Sequence, residues 1–218
     1  MNTPPHTPSP ERASPLRAWL ATLSARYDSA LLRDAPGDGN APATPDARTA
    51  ALRAWCERGS GDGRAPLWRP WALPELPEPL ALAQWAPSAA PPTPVELLAL
   101  LRQLDRNHEL ASLSRAAGLR LKLAVKAREL AWWRARPTQQ PWDTGYLRSG
   151  PEALARLASF RPRRPTLVLV QGLPAASLER ALETLQAVRA HYRHPVRVLL
   201  LDAPPGAWAA SATVLGAD

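Results

Sequence analysis

Several residue types that build particular kinds of protein are scarce in this chain of 218 residues. Cys56 is its only cysteine, which excludes an intrachain disulfide and any metal site that needs two cysteines from one chain. No apolar run approaches the roughly 20 residues of a membrane-spanning helix. The start of the chain lacks the apolar core of a signal peptide, so we expect a cytoplasmic protein without a transmembrane segment.

Lysine is also scarce, since Lys122 and Lys126 are the only two among 27 basic residues, and the formal net charge is +8. The excess of arginine fits either the codon bias of a GC-rich bacterial genome or a function of its own. A net positive charge favours an anionic partner. We therefore expect a protein partner with an acidic face, with nucleic acid or an anionic membrane surface as alternatives.

Proline is abundant, and its uneven distribution divides the chain. Of the 26 prolines, 17 precede Val95. The pattern predicts five segments: a disordered leader at 1–15, short helices and a loop at 16–63, a proline- and tryptophan-rich extended segment at 64–94, a helical region at 95–160, and a strand–helix–strand unit at 161–218.

Apolar periodicity and capping residues predict the helices of the first four segments. The predicted helices span residues 16–32, 46–57, 94 to about 117, 119–136 and 151–160. Thr93 and Glu96 have the spacing of a capping box at the start of the third helix. Residues 143–150 are predicted to form a loop.

The extended segment at 64–94 carries three indoles, Trp68, Trp71 and Trp85. Proline at this density prevents a helix and removes hydrogen-bond donors from any strand. The segment is too apolar for a solvated linker, so we expect it to lie along the surface of the folded part. As an alternative, it binds an aromatic-lined groove on a partner.

The last segment carries the clearest strand signals. Residues 166–170 are a short, continuous apolar run, which is typical of a strand covered on both faces, and residues 196–201 are predicted to form a second buried strand. A helix capped by Ser177 is predicted between them at 177–193, which completes a right-handed βαβ unit with parallel strands. We therefore expect an α/β or α+β fold in which a helical middle region packs on a small parallel sheet built from this unit.

The helix predicted at 119–136 is strongly basic and contains Arg120, Lys122 and Lys126. Leucines and two tryptophans between the charges make it amphipathic, so it could contact an acidic protein, an anionic membrane or nucleic acid. A core helix with a solvated basic rim has the same pattern. We expect these three residues, together with the three indoles of the extended segment, to bind the partner.

Parallel strands place their carboxyl ends at the edge where α/β proteins bind ligands, which here carries Gln171, Gly172 and Asp202. The loop that begins at Gln171 has one glycine and no lysine, so it matches neither a dinucleotide fingerprint nor a phosphate loop. His191 and His194 lie at a helix end, where a cation is favoured by the helix dipole. We predict no catalytic residues, no metal and no cofactor.

The run from Pro165 to Ala187 and the strand that ends at Asp202 resemble the first strand, helix and second strand of family-2 glycosyltransferases, which have the GT-A fold. The resemblance covers about residues 165–210 and includes neither the family's metal-binding Asp-x-Asp motif nor its catalytic base. It implies a truncated or divergent domain that binds a nucleotide sugar, with Asp202 on the base or ribose. The residues themselves favour a non-catalytic bacterial accessory or regulatory protein, and the glycosyltransferase-like domain is the alternative.

Overall fold

The structure, a computed structural model, describes residues 31–33, 47–58, 78–86, 92–105, 120, 123, 142–162, 164–202 and 206–215. The strands are β1 (Leu32–Arg33), β2 (Leu80–Trp85), β3 (Asp143–Leu147), β4 (Thr166–Val170), β5 (Val196–Leu200) and β6 (Thr213–Leu215). The helices with described bounds are α1 (Ala47–Glu57), α2 (Pro94–Asp105), α3 (Pro151–Arg156) and α4 (Ala175–Val188). Short 3-10 turns follow α3, α4 and β5 at Leu157–Ser159, Arg189–His191 and Ala207–Ser211.

The strands form one sheet in the order β1-β3-β4-β5-β2-β6. β1 pairs antiparallel with β3, and every other neighbouring pair is parallel. β4, α4 and β5 form the predicted βαβ unit, in which Thr166 pairs with Val196 and Val170 with Leu200. The predicted α/β class is therefore confirmed, although the sheet is larger than this unit.

The βαβ unit differs from its predicted form at the two ends of its helix. α4 begins at Ala175, because Pro174 rather than Ser177 occupies the N-cap position. The amide of Ser177 donates a hydrogen bond to the carbonyl oxygen of Pro174 over 2.9 Å, so Ser177 lies in the first turn. α4 ends at Val188, before the predicted end at 193, and a 3-10 turn continues the chain.

Helices cover both faces of the sheet and bury an apolar cluster on each. On one face, α1 and α2 pack against alternate strand residues: Ala81, Ala83, Trp85, Tyr146, Leu167, Leu169 and Leu199. On the other face, α4 and the turn after α3 pack against the intervening residues: Leu147, Val168, Val170, Val196, Val198 and Leu200. Apart from Thr166 and Arg197, β4 and β5 are therefore apolar on both sides, and both strands are buried throughout.

The extended segment predicted at 64–94 contains the largest departure from expectation. Its residues 80–85 form β2, which lies between β5 and β6 inside the sheet rather than along the surface. No proline occurs between Pro79 and Pro87, so every residue of β2 keeps its amide donor. Trp85 is 8% exposed and belongs to the core under α1 and α2.

Two further strands lie in segments without a predicted strand. β3 falls within the predicted loop at 143–150, and thus inside the region 95–160 predicted as helical. Aspartate and glycine make its sequence a poor strand former, yet all of it is buried between β1 and β4. β1 occupies the end of the predicted helix at 16–32, and the leader at 1–15 lies outside the described residues.

The helices of the middle of the chain follow their sequence signals. α1 matches the helix predicted at 46–57, and α3 with its 3-10 turn matches the one predicted at 151–160. Before α2, the amide of Thr93 donates to Oε2 of Glu96 over 2.6 Å, and the amide of Glu96 donates to Oγ1 of Thr93 over 3.2 Å. This is the predicted capping box. None of the described helices is long and apolar enough to cross a membrane.

Arg197 of β5 is a charged side chain that is fully buried in the sheet. Its Nη1 donates to the carbonyl oxygens of Glu78, over 3.0 Å, and Val196, over 3.3 Å, and its Nη2 donates to the carbonyl oxygen of Arg58. Nη2 also lies 3.5 Å from Oε2 of Glu78. Burial lowers the pKa of Arg197, and the Glu78 carboxylate opposes this. The Arg197 guanidinium thus links two chain segments to the centre of the sheet. One is the residue after α1, Arg58, and the other is Glu78, which precedes β2.

Candidate functional site

The parallel strands end at a common edge of the sheet, where α/β proteins bind ligands. Arg148 follows β3 at this edge, Gln171 and Gly172 follow β4, and Asp202 lies just after β5. The structure therefore places the predicted residues Gln171, Gly172 and Asp202 at this carboxyl edge.

A hydrogen-bonded contact joins two of these residues. The amide of Gly172 donates to both carboxylate oxygens of Asp202, each over 3.0 Å. Gly172 has a φ of +68°, a left-handed conformation that favours glycine, and a Cβ there would meet nothing within 4 Å. Conformation rather than lack of space therefore favours glycine at this turn. The contact ties the turn after β4 to the end of β5.

A cavity of about 530 Å³, here called the carboxyl-edge cavity, opens beside this contact. Its lining comes from the ends of β1 and β3, the start of α3 and the turn after β4: Arg33, Leu147, Arg148, Ser149, Gly150, Glu152, Ala153, Gln171 and Gly172. Gln171 and Gly172 thus belong to the cavity, whereas Asp202 contacts Gly172 without lining it. The volume lies in the range of roughly 300–1,000 Å³ that ligand sites occupy.

Two arginines and one glutamate are the charged residues that line this cavity. The guanidinium of Arg33 lies 5.4 Å from the centre of the Tyr146 ring, a cation–π distance. Burial raises the pKa of Tyr146 and the nearby Arg33 opposes this, so the phenol is neutral at physiological pH. The amide of Arg148 donates to the carbonyl oxygen of Leu31 over 2.9 Å, which fixes its backbone against β1. The cavity is net positive and suits an anionic group.

The described histidines and the cysteine lie away from the carboxyl edge. His191 and His194 precede β5, at the opposite edge of the sheet, and His108 lies outside the described residues. Cys56 of α1 is fully buried, and burial raises the pKa of its thiol to about 12, so it is not a nucleophile at neutral pH. The described residues contain no group of three potential metal ligands.

The described elements that follow the neighbouring strands β2 and β5 lie on opposite faces of the sheet. α2 packs on the face that carries α1, and Trp208 of the turn after β5 packs on the α4 face. Such a divergence forms the crevice in which nucleotide-binding α/β proteins hold their ligand. The sequence between β2 and α2, residues 86–93, contains neither glycine nor lysine, so it lacks the pattern of a phosphate loop.

The structure describes two of the six residues expected to bind a partner, Arg120 and Trp85. Arg120 is helical and exposed, and Leu123, one turn further along, is 41% exposed. Trp85 requires a correction, because its indole is buried in the sheet core and is not available to a partner. The remaining four lie outside the described residues: Lys122, Lys126, Trp68 and Trp71.

Arg33 and Arg148 are among the cavity residues that sequence reasoning misses. Each belongs to a segment predicted as a helix end or a loop, and each comes to the cavity only because β1 pairs with β3. Neither β1 nor β3 has the apolar run that identifies β4 and β5. No local signal in the sequence therefore assigns these arginines to the carboxyl edge.

The comparisons with known proteins found no matching family model, no matching curated protein and no matching solved structure. The resemblance to family-2 glycosyltransferases therefore stays a prediction. In this fold the resembling unit, β4–α4–β5, lies in the interior of the sheet and follows β1, β2 and β3 along the chain. The geometry of the carboxyl edge is consequently the basis for a functional proposal.

Proposed function

We propose that this protein is a non-catalytic accessory or regulatory protein whose carboxyl-edge cavity binds an acidic segment of a partner protein. The observation that carries the proposal is the presence of Arg33 and Arg148 in the lining of one cavity of about 530 Å³. Both arginines are exposed, so a partner reaches them without a change of fold. The net charge of +8 favours the approach of an acidic partner from a distance.

The chemistry of the lining suits carboxylates on a peptide. A guanidinium presents a planar fork of donors that matches a carboxylate, and the contact of Arg33 with the Tyr146 ring limits the freedom that binding would remove. Ser149 and Gln171 also line the cavity and supply donors and acceptors for peptide groups. The arginines of the lining can thus bind the carboxylates of a peptide, while its uncharged side chains can form hydrogen bonds with the peptide backbone.

A hexaglutamate peptide with a fluorescent label is the probe for this proposal. We expect saturable binding by fluorescence anisotropy that weakens as salt rises from about 50 mM to about 500 mM, because salt screens exposed charges. Reversing both charges, Arg33→Glu with Arg148→Glu, should weaken binding at least about tenfold, since attraction at the cavity becomes repulsion.

Arg180 and Arg189 on and after α4 give a control of equal charge change, because both are exposed and neither lines the cavity. The variant Arg180→Glu with Arg189→Glu should bind hexaglutamate nearly as the parent does. If both double variants weaken binding of hexaglutamate equally, the effect comes from the net charge, and this result would contradict binding at the carboxyl-edge cavity. A third variant, Arg120→Glu, changes the basic helix predicted at 119–136. If only this variant weakens binding of hexaglutamate, the contact belongs to that helix instead.

The glycosyltransferase-like alternative places a nucleotide sugar at Asp202. Both carboxylate oxygens of Asp202 already accept the Gly172 amide, and residues 86–93 lack a phosphate loop. We therefore expect no heat beyond dilution in calorimetric titrations with uridine diphosphate glucose. Saturable heat that Asp202→Ala removes would contradict the non-catalytic proposal and support the alternative.

A further inference from the structure

Glu152 brings a negative charge into the lining of the carboxyl-edge cavity, which otherwise carries the two arginines. It lies in the first turn of α3, where the amide of Leu154 donates to the carbonyl oxygen of Gly150 over 3.1 Å. This hydrogen bond holds the backbone of the turn beside the cavity, while the side chain of Glu152 is exposed. A ligand that enters the cavity therefore meets a carboxylate as well as two guanidinium groups.

The Glu152 carboxylate is not neutralised by the cavity arginines. Within the described part of the chain it forms neither an ion pair nor a hydrogen bond, although Arg33 and Arg148 line the same cavity. The lining thus carries separate charges of both signs. A ligand with carboxylates alone would match the arginines but would bring a like charge towards Glu152, which is unfavourable.

We propose that the partner segment bound in the carboxyl-edge cavity carries a lysine or an arginine among its acidic residues, and that Glu152 binds this basic side chain. The assignment depends on the proposed function, in which Arg33 and Arg148 bind the carboxylates of the segment. Glu152 then favours segments of mixed charge over purely acidic ones, because it attracts a cation and repels a further carboxylate at its own position.

Labelled hexaglutamate peptides with one substitution test this assignment by fluorescence anisotropy. At each of the six positions in turn, a peptide with lysine is compared with one that carries uncharged glutamine. The protein has a net charge of +8, so general attraction predicts weaker binding of the lysine peptide at every position. We expect the opposite at one position or at two adjacent ones, where lysine should tighten binding about threefold through one exposed ion pair.

The variant Glu152→Gln removes the charge and keeps most of the shape of the side chain. In this variant lysine should bind no better than glutamine at any position, and hexaglutamate should bind about twofold more tightly than to the parent, because a like charge is gone. Glu179→Gln is the control of equal charge change, since Glu179 is exposed on α4 and does not line this cavity. It should keep the preference for lysine.

A carboxylate in the first turn of a helix also stabilises that helix, and this role alone would make the preference for lysine independent of Glu152. Weaker binding of lysine at every position in the parent, or a preference that survives Glu152→Gln, would overturn the assignment. Both results leave the proposed function intact if Arg33→Glu with Arg148→Glu still weakens binding of hexaglutamate. If hexaglutamate does not bind the parent, the proposed function fails, and the role of Glu152 fails with it.

Discussion

Replacing Arg197 with methionine is expected to lower the free energy of unfolding by about 1–3 kcal/mol, measured by urea denaturation followed by circular dichroism. Methionine occupies much of the same space but donates no hydrogen bond. The carbonyl oxygens of Arg58 and Glu78 would lose their guanidinium donor. Both contacts are partly buried, and a buried polar group left without a partner costs about 1–3 kcal/mol, so together they should cost an amount within this range.

Arg180 gives the matched control, because it is an exposed arginine on α4. We expect Arg180→Met to change the free energy of unfolding by no more than about 0.5 kcal/mol. Arg197→Lys keeps the charge and offers fewer donors, so its loss should be intermediate. If Arg197→Met is no more destabilising than Arg180→Met, the guanidinium does not hold α1 and β2 to the sheet.

Trp85→Ala is expected to lower the free energy of unfolding by about 3–5 kcal/mol in the same measurement. The indole is 8% exposed and packs in the cluster formed by α1, α2 and the sheet. Alanine would leave a cavity in this cluster, which also contains the nearly inaccessible Leu100 and Leu104. The substitution therefore tests whether the end of β2 is part of the core.

Val95 serves as the control for this result, since it is 52% exposed at the start of α2. Val95→Ala should change stability by no more than about 0.5 kcal/mol. A loss at Trp85 below about 1 kcal/mol would mean that its indole contributes little packing, and the interpretation of residues 64–94 as a partner-binding segment would then regain support.

β4 and β5 can be predicted from the sequence because each is a short, mostly apolar run that follows a proline, a pattern typical of strands covered on both faces. Their helix follows from its apolar periodicity. Once these strands are placed, Gly172 and Asp202 fall at the carboxyl edge without further information. The centre of the fold and part of the candidate site are therefore local properties of the sequence.

β2 and β3 depend on partners that local patterns do not show. β2 alternates leucine and alanine within a proline-rich segment, and its burial comes from pairing with β5 and β6. β3 contains aspartate and glycine, and only its position between β1 and β4 makes it a strand. Arg33 and Arg148 lie at the ends of such strands, so the positive side of the carboxyl-edge cavity cannot be predicted from the sequence.

The position of β2 between β5 and β6 also affects the order in which the chain folds. Val196 and Thr213 of those neighbours leave the ribosome more than a hundred residues after β2. During that interval β2 is an apolar strand with two open edges, a state that readily pairs with other chains. Pro79 and Pro87 lie close to its two ends, and proline beside an apolar strand hinders such pairing. The prolines that obscure β2 in the sequence therefore protect the nascent chain from aggregation until its C-terminal strands arrive.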